Sequence, residues 1–215
     1  LCASCVWDSD AGHELGREVR DLGKGHAEHL MEVIGLALER AGKAYADLGR
    51  IAVSIGPGSF TGVRVGVATA RGLALALKVP AVGVTTLEAL AAAVREAVDG
   101  AGTVMAAIDG GRDGLYVAVY DRFGTACHTP LIMASEEAAM LASRNDSLLA
   151  GSAARRIAAS MEAPRLTGVD GATADIAVYA RLAAVREPGK AAPVPLYLRE
   201  PDAKPQTGFA LPRRS

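Results

Sequence analysis

The sequence predicts an α/β protein built as two related lobes, residues 1–100 and 101–215, and three observations carry that reading. Short apolar runs closed by Gly, Pro or Asp turns read as strands, and they alternate with longer segments of helical period. After Asp99-Gly100-Ala101-Gly102 the same order of strand-rich opening and following helices begins again. Half of the residues are apolar and the net charge is only -1, which excludes a chain too polar to bury a core. Aromatic residues make up 4% while Ala and Gly abound, so the core must rely on close backbone approach more than on large rings.

In chain order, Leu1 to Trp7 reads as a strand ended by the Asp8-Ser9-Asp10-Ala11-Gly12 turn, and Glu14 to Arg20 as its successor. From His26 to Ala41 the residues Leu30, Val33, Ile34, Ala37, Leu38 and Ala41 recur at helical spacing, with Gly42 as the stop. Gly35 inside this helix costs about 1 kcal/mol against alanine, and close packing by another helix is the expected reason. Ile51 to Ile55 is apolar enough for a strand covered on both faces. Gly56-Pro57-Gly58-Ser59-Phe60-Thr61-Gly62 turns the chain into a helix over Val63 to Leu77; a strand at Val82 to Val84 and a helix over Leu87 to Val98, capped by Thr85 or Thr86, follow.

In the second half, Val104 to Ile108 and Leu115 to Tyr120 are strands around an Asp109-Gly110-Gly111 turn. Alternation places Leu115, Val117 and Val119 on one face and Tyr116, Ala118 and Tyr120 on the other. Ser135-Glu136-Glu137 precedes a helix to about Ala142, and a strand at Leu148 to Ala150 and helices over Ala153 to Met161 and Asp175 to Val185 complete the regular elements. Pro193 to Arg199 is extended, and Gln206 to Ser215 reads as a frayed tail. The longest apolar stretches, Leu73 to Leu77 and Ala89 to Val94, are far shorter than a bilayer span, and no secretory leader is read at the start.

The sharpest local feature is the strand, the GPGSFTG loop (Gly56, Pro57, Gly58, Ser59, Phe60, Thr61, Gly62) and the helix after it. Backbone amides at a helix start favour an anion, so phosphate binding is one reading. The loop lacks the lysine and hydroxyl of a Walker A motif and the spacing of a dinucleotide fingerprint, so a structural turn beneath an interaction surface is the other. Gly66, Ala70 and Ala74 form a strip of minimal side chains at spacings of four, flanked by Arg64 and Arg71. Such a strip admits either the protein's own sheet or a second helix.

His26 and His29 lie one turn apart and can address a metal or serve as surface and cap groups; HAEH is not the HExxH of zinc proteases. Asp109 follows a buried strand, where a carboxylate can orient a metal or a sugar hydroxyl or simply pair with Arg112. Cys2, Cys5 and Cys127 are too few for a disulfide framework, and the odd spacing of Cys2 and Cys5 on a strand sends them to opposite faces. No Ser–His–Asp or Cys–His set can be assembled, so no nucleophile is assigned.

Taken together, Ile55 to Gly66, continuing through Ala70-Arg71-Gly72-Leu73-Ala74, closely resembles the signature of the TsaB (YeaZ) family. His26-Ala27-Glu28-His29-Leu30 resembles that family's HSExL segment. Ile108 to Tyr116 resembles its IDARRxEVY segment, with Gly111 and Gly114 replacing an arginine and the glutamate, and Pro195-Leu196-Tyr197-Leu198-Arg199 its tail motif. The family's opening AIDT-like strand has no counterpart before Leu1, so the native start is expected upstream.

The resemblance implies an actin/Hsp70-like (ASKHA) fold of two lobes and a cytoplasmic, non-catalytic subunit without a cofactor of its own. Its implied partners are a TsaD-like catalytic subunit and a TsaE-like ATPase, which use ATP and a metal, with a homodimer when alone and tRNA met through the complex. It implies docking through the first two helices, with His26, His29, Leu30, Val33, Arg64, Val67, Ala70, Arg71 and Ala74 at the interface. The competing expectation is a catalytic member of the same superfamily, a small-molecule kinase or a metalloprotease.

Overall fold

The computed structural model describes residues 1–21, 26–111, 114–189 and 191–199, with the side chains of His26 and Ala27 outside the description. Strands β1 (Cys2–Asp8) and β2 (His13–Arg20) form an antiparallel hairpin. Its turn is held by the Asp8 carboxylate, which accepts from the amides of Asp10 and Ala11 at 2.9 Å each. Helix α1 (His26–Ala41) lies on this hairpin and buries Val33, Ala37 and Leu38, residues of the expected helical stripe. Gly16 makes the contact possible, because a Cβ there would sit 2.6 Å from the backbone nitrogen of Ala41. Gly35 departs from expectation: a Cβ there would meet nothing within 4 Å, so no helix among the described residues presses on it.

Strands β3 (Ile51–Ser54) and β4 (Ala81–Val84) pair in parallel, joined by helix α2 (Phe60–Leu77). The helix begins three residues earlier than the pattern suggested, because Ser59 caps it by accepting from the amide of Gly62 at 3.4 Å. It ends at Lys78 in the left-handed conformation. With 18 residues and a mean hydropathy of 1.2, α2 is long and apolar enough to cross a membrane by length and composition, contrary to the sequence-based expectation. It nevertheless carries Arg64 and Arg71 and packs on β3 and beside α1. Among the described residues β1 pairs only with β2, and β3 only with β4.

The remaining strands form one sheet in the order β7-β6-β5-β8-β9, comprising β5 (Val104–Asp109), β6 (Leu115–Tyr120), β7 (Ala126–Met133), β8 (Leu148–Ala150) and β9 (Arg165–Leu166). Strand β6 runs antiparallel to both β5 and β7, whereas β8 and β9 extend the sheet from β5 in parallel. The alternation read in β6 holds on both faces. Leu115, Val117 and Val119 join a core with α4 (Ser135–Arg144) and α5 (Ala154–Ala158), while Ala118 and Tyr120 join another with α3 (Thr86–Ala97). Strand β7 was not anticipated; it is an edge strand with mixed exposure, interrupted by Pro130, and lacks a clean apolar period.

Two helices cross between the halves of the chain. Helix α3, capped by Thr85, turns Leu87, Leu90, Ala91 and Val94 to the five-stranded sheet and Ala89 and Ala92 to α6 (Ile176–Val185). Helix α6, in turn, lies on β1, β3 and β4. Arg50 Nη1 clamps its carboxyl end, donating to the carbonyls of Ala183, Ala184 (3.0 Å) and Arg186 (2.6 Å). The apolar clusters therefore interlock across residue 100.

Candidate functional site

The GPGSFTG loop is a brace between three elements. Gly56, with a φ of 91°, accepts at its carbonyl from the amide of Thr86 at the start of α3 (2.8 Å). The hydroxyls of Ser54 and Thr86 lie 3.4 Å apart across the same junction. Such a turn needs glycine because other residues enter this region of φ only with strain. The loop sets the direction in which α2 leaves the sheet, and so decides which of its faces is outward.

That orientation corrects the expected interface. Gly66 faces β3, with Val53 Cγ2 3.7 Å from where its Cβ would stand, and Val67, Ala70 and Ala74 are buried within the monomer. Val33 of α1 is fully buried as well. These side chains pack against the protein's own elements, so the small-residue strip is a core contact and not an outward seam. The outward face of α2 carries Phe60, Arg64, Ala68, Arg71, Gly72, Leu75 and Ala76. Leu75 is 83% exposed, a large value for a leucine in the middle of a last helical turn. Of the α1 residues, His29 and Leu30 are half-buried, with His29 Nδ1 3.3 Å from the Glu32 carboxylate; His26 lies outside the described side chains.

The outer face is completed by a segment distant in sequence. Residues 193–199 form no regular element, with bends at Leu198 and Arg199, and the amide of Leu196 donates to the carbonyl of Ile55 at 2.8 Å. This brings Tyr197 to Arg64, 133 positions away, whose Nε donates to the tyrosine hydroxyl at 2.7 Å. The Arg64 guanidinium also stacks 3.7 Å from the Phe60 ring centroid and 5.4 Å from that of Tyr197. Beside it, Arg64, Val67, Ala68, Arg71 and Pro195 line a shallow cavity of about 360 Å³. Tyr197 and Pro195 were legible only as part of the tail motif; nothing in local spacing joins them to α2.

The other candidates are less chemically poised. Asp109 Oδ1 accepts from the amide of Gly111 at 2.9 Å, which closes its own turn, while Arg112 and Asp113 lie outside the described residues. Arg199 crosses to the same turn and donates to the Gly111 carbonyl at 2.9 Å. None of the three cysteines forms a disulfide. Burial, reinforced by Glu14, pushes the Cys5 thiol up to about 12, so it stays protonated and a poor nucleophile near neutrality. Among the described residues no three His, Cys, Asp or Glu side chains gather as a metal site.

Comparison with known proteins places this geometry. Residues 20–145 match the family model described as TsaD: tRNA N6-adenosine threonylcarbamoyltransferase. The TsaB protein of Escherichia coli, a tRNA threonylcarbamoyladenosine biosynthesis protein, is 38% identical over 97 residues, which are 45% of this chain and 42% of that protein. An uncharacterized protein of Mycobacterium bovis is 33% identical over 192 residues, 89% of this chain and 83% of the relative. The match to an uncharacterized protein of Mycobacterium leprae spans 51% of its length, so the chain aligns with about half or less of these two first relatives, from E. coli and M. leprae. A crystal structure from Pseudomonas aeruginosa, described as similar to peptidase YEAZ, superposes with a TM-score of 0.76 at 29% identity, covering 92% of this chain and 94% of that one. Sequence motifs, the family match and the shared fold agree: the chain belongs to the TsaB (YeaZ) family of tRNA threonylcarbamoyladenosine biosynthesis proteins.

Proposed function

We propose that this chain is a non-catalytic scaffold and activator of a TsaD-like subunit in threonylcarbamoyl transfer to the adenosine next to the anticodon of tRNA. The observation that supports it most is the outward face of α2, where the highly exposed Leu75 and the half-exposed Phe60 stand beside Arg64 and Arg71. Large apolar side chains left exposed on a helix that is only 17% buried in the monomer suit a protein contact. Half-buried His29 and Leu30 of the neighbouring α1 belong to the same docking surface, which also serves a homodimer when the partner is absent. The architecture is the two-lobed actin/Hsp70-like one, lobes 1–100 and 101–215, with α6 returning to the first lobe. A TsaE-like ATPase joins the assembly in the cytoplasm, and ATP and metal belong to the partners.

Docking costs translational and rotational freedom, which the interface must recover. The surplus acts on the catalytic subunit by favouring the conformer in which substrate and tRNA are aligned, a population shift that needs no reactive group here. Reconstitution of tRNA modification from the cognate TsaD-like and TsaE-like proteins, with and without this chain, tests the proposal. Modification is expected only in the complete mixture. Equal modification without the chain, or transfer by the chain alone, would overturn it.

A further inference from the structure

Resting on the reading of the outer face of α2 as the docking surface, we propose that the partner's docking element is acidic. It sets two carboxylates about 10 Å apart, matching the two arginines, on either side of an apolar side chain. Helix α2 has two arginines and no acidic residue in its 18 positions. Arg64 and Arg71 are two turns apart, about 10 Å along the axis, and so share one side of the helix. Among the described residues neither has an ion pair. The cavity between them has Val67, Ala68 and Pro195 as its remaining lining, an apolar floor between two cationic walls.

Arg64 is already posed for a carboxylate. Its Nε is spent on the Tyr197 hydroxyl and its plane is stacked on Phe60, which leaves both Nη groups for a bidentate acceptor. Holding the fork before the partner arrives reduces the side-chain freedom lost on docking. The same stacking disfavours an RNA partner, since the Phe60 and Tyr197 ring faces that bases would use are engaged by Arg64. Two cations also make a weak phosphate track. Tyr197 is thus a positioning residue for Arg64.

Calorimetric titration of the cognate TsaD-like subunit with the intact chain, R64Q/R71Q, R64K/R71K, Y197F and L75R, at low and high salt, decides the matter. The intact chain is expected to bind less tightly as salt rises. R64Q/R71Q should bind about tenfold or more weakly and lose that salt dependence, because desolvated charge pairs at interfaces couple strongly. R64K/R71K keeps the charge without the fork and should retain the salt dependence at reduced affinity. Y197F should fall between the intact chain and R64Q/R71Q. If R64Q/R71Q binds as the intact chain does while L75R fails to bind, the acidic partner is wrong and the docking surface stands. If no variant changes affinity, both fall. Retention of tRNA by the isolated chain, abolished in R64Q/R71Q, would assign the arginines to RNA and overturn the inference.

Discussion

Ala70 and Leu75 sit five residues apart on α2 and face opposite ways, the first 4% exposed and the second 83%. The difference decides what a substitution reports. Ala70→Trp forces a large ring into a packed site, and overpacking of this kind costs about 1–3 kcal/mol. Thermal unfolding is expected to show a clear loss of Tm; an unchanged Tm would mean that the site yields outward. Gly151 is a stricter case. Its φ is 93°, and a Cβ would stand 2.1 Å from the carbonyl oxygen of Ala107. Gly151→Ala must therefore separate β8 from β5 or move the backbone, and a loss of about 3 kcal/mol or more in denaturant unfolding is expected. Gly35→Ala has the opposite sign. With open space and a helical backbone, it should stabilise the isolated chain by up to about 1 kcal/mol. A lower Tm for that variant would contradict the geometry.

At the scale of elements, α6 depends on the residue that precedes it. Asp175 caps the helix, accepting from the amide of Ala177 at 2.9 Å, and takes two hydrogen bonds from Arg17 of β2 at 2.8 and 3.1 Å. The Arg17 side chain, more than burial can oppose, holds the Asp175 carboxyl below its ordinary value. A depressed carboxylate contributes stability that is present above its unfolded value near pH 4 and is lost as pH falls through the folded one. Glu18, held down by Arg20 and Arg40, acts in the same direction. Asp175→Ala is expected to cost about 1 kcal/mol through the cap and to flatten the acid limb of the stability profile, measured by denaturant unfolding between pH 3 and about 6. An unchanged acid limb would show that the pair with Arg17 contributes nothing.

Elements were legible where one period dominated. Helix α1 runs over the stretch its apolar stripe marked, and β6 alternates between two cores as its sequence suggested. Strand β7 was hidden because an edge strand with Pro130 and exposed Ala126 and Cys127 owes its existence to pairing with β6. The inward turn of Gly66, Ala70 and Ala74 was also hidden. Arg64 and Arg71 are the only charged residues of α2, too few to announce which face meets its own sheet, so the placement of β3 resolves it.

Across the whole molecule, the two halves are held by exchanged helices. Helix α3 carries its apolar side chains to the five-stranded sheet, and α6 brings Val178, Tyr179 and Ala183 back to β4 and α3. The segment at 193–199 adds a third tie, from the Ile55 carbonyl to the Gly111 carbonyl through Leu196 and Arg199. A body interlocked in this way transmits a docking event as a rigid unit, which suits a subunit that orients a catalytic neighbour. In the function proposed above that neighbour is met on the outer face of α2, where Leu75 is the most exposed large apolar side chain. The most direct test is calorimetric titration of Leu75→Arg against the cognate TsaD-like subunit, with the melting temperature of the variant measured alongside. An unaltered Tm and a loss of binding of about a hundredfold, the scale of a buried interface anchor, are expected; wild-type affinity in a folded variant would contradict docking on this face.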